Sequence, residues 1–258
     1  MKKRSALLAI GVLLTVFLIL PTARAQAYAS ASAYGELYWT QIWWQGPLSF
    51  WNLKADTYAS SNGGTDVDFN NSDWNATSEV NVAPNYAQGV VSYDPNEGLY
   101  QWAQSSSSDP AMAQNQFAIG NSHLQADFVS AADWYVEFGL PYYLFTQATV
   151  ENKNENAWAT VSVHLTLSSY DGENWVTRSD ATMSIAPEGD NFDRISEVVN
   201  QWLILGAEMH AGEHGRLDAW IYTNTQVSSA SAVPIPGAVW LLGSGLVGLI
   251  GLRRKFQG

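Results

Sequence analysis

The sequence predicts an all-β protein, an antiparallel β-sandwich of jelly-roll-like arrangement, and three observations predict it. The first is strict two-residue alternation. Ala157, Ala159, Val161, Val163, Leu165 and Leu167 form one face of a run whose other face is Thr160, Ser162, His164, Thr166 and Ser168. A helix of 3.6 residues per turn cannot sort them so. The second is composition: 13% aromatic and only 14% charged residues suit half-buried pleated surfaces better than a helical bundle. The third is punctuation, because polar turn clusters recur at short intervals between the alternating runs.

Taken in chain order, Ala27, Ala29, Ala31, Ala33, Leu37 and Trp39 alternate with Ser30, Ser32, Glu36 and Thr40 as a first strand. Trp43 and Trp44 are adjacent, so both cannot point inward from one strand. Ser61-Asn62-Gly63-Gly64, Asp94-Pro95-Asn96-Glu97-Gly98 and the stretch from Ser105 to Pro110 read as turn-rich segments. After the strand that ends near Tyr170, Asp171-Gly172-Glu173-Asn174 predicts a hairpin turn. A second run follows, with Thr177, Ala181, Met183 and Ile185 against Arg178, Asp180 and Ser184. The region from Asp190 to Leu205 is ambiguous, because Ile195, Val198, Val199 and Trp202 also fit one short helix. A last strand sets Leu217, Ala219, Ile221, Thr223 and Val227 opposite Arg216, Asp218, Asn224 and Gln226. The simplest organisation is one exported domain over residues 26–225 and a small-residue linker over 226–232.

Charge separates the ends from the middle. Of 12 basic residues, only Lys54, Lys153, Arg178, Arg194 and Arg216 lie between residues 26 and 232, where all 24 acidic residues fall, a formal −19. Such a surface repels phosphate backbones, so nucleic acid is not an expected partner. Metal cations, cationic polymers or plain solubility suit it better. The absence of cysteine excludes a disulfide framework, a thiol nucleophile and zinc-thiolate chemistry.

Residues 1–25 read as a secretory signal peptide. Lys2, Lys3 and Arg4 open it, Ala6 to Leu20 are largely apolar, and Pro21 breaks the helix. Ala23 and Ala25 supply the small residues a signal peptidase inspects, so cleavage is expected after Ala25. There is no twin-arginine pair, which leaves the general secretory translocon as the expected route. An uncleaved membrane anchor is the alternative. At the other end, Gly237 to Leu252 carry no charge and stop at Arg253-Arg254-Lys255. As a helix that run spans roughly 24 Å, and the cationic cluster holds its end in the cytoplasm as a membrane stop. Gly243, Gly245, Gly248 and Gly251 keep the helix thin.

Val233-Pro234-Ile235-Pro236, then Gly237-Ala238-Val239-Trp240-Leu241-Leu242-Gly243-Ser244-Gly245-Leu246, then the arginine cluster, together resemble the PEP-CTERM sorting signal. Ile235 stands where the motif that names the family has glutamate. The resemblance covers residues 233–258. It implies recognition by exosortase, a membrane-embedded cysteine peptidase or transpeptidase of Gram-negative bacteria, and processing near Val233, Pro234, Ile235, Pro236 and Gly237. It also implies transient anchoring in the inner membrane, then residence at the cell surface or outside in an exopolysaccharide or biofilm matrix. A plain C-terminal anchor is the alternative.

Candidate chemistry in the middle is sparse. His210-Ala211-Gly212-Glu213-His214 matches the H-x-x-E-H zinc-peptidase pattern. That chemistry needs both histidines on one helix face, and the flanking glycines with a strand beginning at Arg216 predict a hairpin turn instead. Asp66, Asp68, Asn70 and Ser72 open like a calcium loop, but Asn71 and Thr77 break the pattern, so a polar turn is expected. No cofactor or metal is expected, with structural calcium on the sandwich's carboxylates left open. Trp220 and Tyr222, on the polar face of the last strand, are candidates for stacking on sugar rings; ordinary packing is the alternative. No carboxylate pair, nucleophile elbow or phosphate loop marks an active site. The chain is expected to be a surface or matrix protein and not an enzyme. A carbohydrate-binding module for matrix polysaccharide is the alternative, and a secreted hydrolase a third.

Overall fold

The computed structural model describes residues 28–62, 64–70, 75–82, 84–94, 98–110, 115–151, 155–186, 188–190 and 194–228. The two terminal segments, with Ala23, Ala25, Val233 to Gly237 and Arg253, Arg254 and Lys255, lie outside the described residues. Among the described residues no helix is long and apolar enough to cross a membrane.

Fourteen strands carry the described chain: β1 (Tyr28–Leu37), β2 (Trp43–Gln45), β3 (Leu48–Ser61), β4 (Gly64–Asn70), β5 (Ala76–Val82), β6 (Asn85–Asp94), β7 (Gly98–Pro110), β8 (Gln116–Ser130), β9 (Trp134–Val150), β10 (Asn156–Tyr170), β11 (Trp175–Ile185), β12 (Glu188–Asp190), β13 (Arg194–Met209) and β14 (His214–Ser228). They form two seven-stranded sheets with antiparallel pairings throughout. The first has the order β13-β9-β1-β7-β6-β5, with β2 also on β9. The second has the order β11-β10-β14-β8-β3-β4, with β12 also on β10. The sheets pack face to face as a sandwich. Antiparallel pairing sets Ser61 of β3 opposite Gly64 of β4 and Asp94 of β6 opposite Gly98 of β7; Gly63 and residues 95–97, within the segments read as turn-rich, lie outside the described residues. The β10–β11 hairpin closes with the Asp171 amide donating to the Asn174 carbonyl at 3.0 Å, and Gly172 supplies φ 103°.

The core is a wedge. At one end the interior is filled by Phe128, Phe138, Leu140, Leu144, Leu165 and Leu217, with Phe128 and Phe138 rings 5.6 Å apart across the sheets. At the other end the inward residues are Ala87, Ala118, Ser105, Ser107, Thr223 and Thr225, which draw the sheets together. Gly89 and Gly120 mark the closest approach. A Cβ on Gly89 would strike the Asn121 carbonyl, and one on Gly120 the Gln88 and Gln104 carbonyls. Between the two ends the buried Gln101 amide bridges the sheets, donating to the Ser122 and Ala219 carbonyls at 3.1 and 2.8 Å. Its oxygen accepts from Trp39 Nε1 at 2.9 Å.

Several expectations are corrected. Ser105 to Pro110 belong to strand β7, not a turn, because Ser105 and Ser107 are small enough to face the narrow interior while β1 and β6 pair their backbones. The ambiguous Asp190–Leu205 region contains most of strand β13, paired with β9 from Arg194 to Met209 and burying Leu203, Leu205 and Met209. The first strand stops at Leu37, and buried Trp39 opens a 3-10 turn, Trp39–Gln41. A register shift beside Ser168 turns Thr177 outward, away from Ala181, Met183 and Ile185, since one extra residue reverses the face. Strand β14 runs to Ser228 and so takes in Gln226, Val227 and Ser228 from the segment read as linker.

Candidate ligand cleft

On the outer face of the second sheet, at the wide end of the wedge, two strands depart from regular pairing. The register of β3 against β8 shifts between Trp51 and Lys54, and that of β10 against β11 shifts between Leu167 and Ser168. Bulges bend a strand and re-aim its side chains. Here they flank an open cleft of about 450 Å³ lined by Trp51, Asn52, Asp127, Tyr170, Trp175, His214 and Arg216. Asn52 sits inside the first bulge at φ 51°, the only non-glycine residue with positive φ among the described residues. Asparagine tolerates that left-handed conformation better than most side chains.

The floor is a locked carboxylate. The Asp127 side chain is 2% exposed, and burial at that depth demands partners. Arg216 donates from Nε to Oδ1 at 2.7 Å and from Nη2 to Oδ2 at 3.3 Å. Asn52 Nδ2 donates to Oδ2 at 2.5 Å, and Gln125 Nε2 to Oδ1 at 3.3 Å. The guanidinium lies 3.9 Å over the Trp175 ring, a cation–π seat that fixes its plane. Around this floor, Trp51 meets His214 edge-on at 5.8 Å and Tyr170 packs on Trp175 at 5.4 Å. Trp51 and Tyr170 remain 48% and 41% exposed.

Further along the same face, three strands are joined through one imidazole. His123 on β8 is 2.5 Å from Asp56 Oδ1 through Nδ1 and 3.0 Å from Asp218 Oδ1 through Nε2, and its ring stacks on Trp220 at 3.5 Å with 6° between planes. Burial pulls the histidine toward its neutral form, but the bonds to Asp218 and Asp56 outweigh it, so its pKa is raised above the ordinary value. In its protonated form the ring donates from both nitrogens, one to each carboxylate, which is why the two bonds favour the charged state. Trp220 and Tyr222, the sequence candidates for sugar stacking, both lie on this outer face. One face of the Trp220 ring is taken by His123, and Tyr222 is 36% exposed beside Asn121 and Ser162.

The H-x-x-E-H stretch forms a turn, but not a hairpin within one sheet: it carries the chain from β13 in the first sheet to β14 in the second. Glu213 Oε2 accepts the His210 amide at 2.8 Å, and Gly212 takes φ 79° while its amide reaches the Ser130 carbonyl. His214 turns instead to Trp51. Asp66 and Asp68 are on edge strand β4 rather than in a turn, and they accept the Glu79 and Thr77 amides of β5 at 2.9 and 2.8 Å. They tie the edge of one sheet to that of the other, and their alternation is that of a strand. Ser72 lies outside the described residues. Among the described residues no three His, Asp or Glu side chains are grouped to hold a metal ion.

Sequence reasoning missed Trp51, Asn52, Asp127, Tyr170 and Trp175. One signal was available: with five cations in the middle of the chain, Arg216 on a strand face implied a partner carboxylate. Fold and site thus define a two-sheet all-β protein with a solvent-open aromatic cleft. No protein-family model matches the chain, and no curated protein matches it.

Proposed function

We propose that this chain is an exported cell-surface or extracellular-matrix protein whose β-sandwich, jelly-roll-like in its repeated passage between sheets, works by binding and not by catalysis. The observation that carries the reading is the cleft itself. Its one carboxylate, Asp127, accepts hydrogen bonds from Arg216, Asn52 and Gln125, an arrangement suited to holding a shape rather than moving a proton. The aromatic rings beside it stay open to solvent. Delivery rests on the terminal segments: the translocon and signal peptidase act at Ala23 and Ala25, and an exosortase-type enzyme acts near Val233 to Gly237 while Arg253, Arg254 and Lys255 stop transfer.

Intact-mass measurement of the protein isolated from its native host tests the route. The expected species begins at Gln26 and has lost the Arg253-Arg254-Lys255 end. A mass retaining both Met1 and Gly258 overturns the export reading. The second reading, carbohydrate binding for matrix polysaccharide, is favoured by the same exposed aromatic side chains.

A further inference from the structure

We infer that the cleft is a neutral-glycan site, with Trp51 and Tyr170 as its stacking faces and the Asn52–Asp127–Arg216 group as the polar floor that orients a pyranose ring. This rests on the binding reading above and names its ligand class and its residues. Trp220 and Tyr222 are not part of the site.

Three observations converge. Two large aromatic side chains stay about half exposed at the rim although each is braced from behind, Trp51 by His214 and Tyr170 by Trp175. Exposed apolar rings of fixed orientation complement the C–H faces of a pyranose while leaving its hydroxyls free. The positive-φ Asn52 is the one such non-glycine residue among the described residues, and its amide is spent on Asp127. Strain of that kind is held where geometry matters. Arg216 uses Nε and Nη2 on Asp127, and its Nη1 makes no hydrogen bond among the described residues, which leaves donors for a hydroxyl or ring oxygen.

Charge then selects within the saccharides. Asp127 already neutralises Arg216, and Asp171 and Glu173 stand exposed in the turn between Tyr170 and Trp175. Residues 26–232 carry a formal −19. A uronate or sulfated polymer meets repulsion here, whereas a neutral glycan does not. Trp220 has lost one ring face to His123, so the sugar-stacking surface lies at the bulged end of the sheet and not along the middle of β14.

The test is affinity electrophoresis of the full-length chain, held in mild detergent, through gels containing a neutral polymer (hydroxyethyl cellulose, dextran or galactomannan) or an acidic one (alginate or polygalacturonate). At least one neutral polymer is expected to retard the protein, and neither acidic polymer. Retardation should weaken about tenfold in Trp51→Ala and in Tyr170→Ala and stay unchanged in Trp220→Ala. Asn52→Gly keeps the left-handed backbone but removes the amide, so it should weaken binding with little change in melting temperature. Stronger retardation by the acidic polymers overturns the assignment of ligand class. Retardation that survives Trp51→Ala and Tyr170→Ala, or that vanishes in Trp220→Ala, leaves the binding reading standing and removes the site. No retardation by any neutral polymer overturns the inference, while export still stands or falls on the intact mass.

Discussion

Gly120→Ala is the sharpest probe of how the two sheets meet. A Cβ at Gly120 would collide with the backbone carbonyls of Gln88 and Gln104 and touch Thr223 Oγ1 at 3.0 Å. Those carbonyls belong to β6 and β7 and are fixed by strand pairing, so no side chain can simply swing away. Overpacking of a tight core costs typically about 1–3 kcal/mol. With two carbonyls as the obstacle, about 3 kcal/mol is expected. In a domain of this size each kcal/mol lowers the melting temperature by about 2–4 °C, so the drop is about 6–12 °C. Gly64→Ala is the internal control, because no atom lies within 4 Å of its added methyl group and its φ is not positive. That variant should melt at or slightly above the parent, since alanine restricts the unfolded chain. Thermal unfolding followed by circular dichroism reads both. If Gly120→Ala melts together with Gly64→Ala, the sheets are not in contact at the thin end and the wedge is wrong.

Two further perturbations test the polar stitching. His123 lies between Asp56 and Asp218, with Lys54 two residues from Asp56 and His164 opposite Trp220. Because the folded pKa is raised above its ordinary value, its stabilisation is complete below about pH 6.5 and is lost as pH rises through the folded value. The melting temperature should fall across that window. His123→Gln should flatten the slope, and an unchanged profile in that variant contradicts the imidazolium bridge. Asp66→Ala combined with Asp68→Ala frees two β5 amides at the sheet edge. A loss of about 1 kcal/mol and concentration-dependent association are expected, read by melting and by light scattering. A double variant that stays monomeric with unchanged stability denies those carboxylates their edge role.

How far the sequence could be read follows from what sets each feature. The strand from Ala157 onward was legible because period-two alternation is a local property of one pleated segment with one buried face. So was the Asp171-Gly172 turn, whose conformation depends on its own four residues. The region before Leu205 was not, since Val198, Trp202 and Ile204 are exposed at 57%, 48% and 55% and blur the alternation that marks a half-buried strand. The serines of β7 misled in the opposite direction. Ser105 and Ser107 have turn chemistry, but the narrow space between the sheets admits little else.

By itself, the sequence determined the all-β class, the acidic and cysteine-free character of the domain, and the cation-flanked apolar pattern at each end. Those are properties of composition and of neighbours along the chain. Only the tertiary structure decided which strands share a sheet, that H-x-x-E-H crosses between sheets, that Asp66 and Asp68 seal an edge, and that Trp51, Asp127, Tyr170 and Arg216 line one cleft. Asn52 and Asp127 stand 75 positions apart and Arg216 lies another 89 beyond Asp127. The pairing of β3, β8 and β14 brings them within hydrogen-bond reach, and no periodicity in the chain encodes that separation.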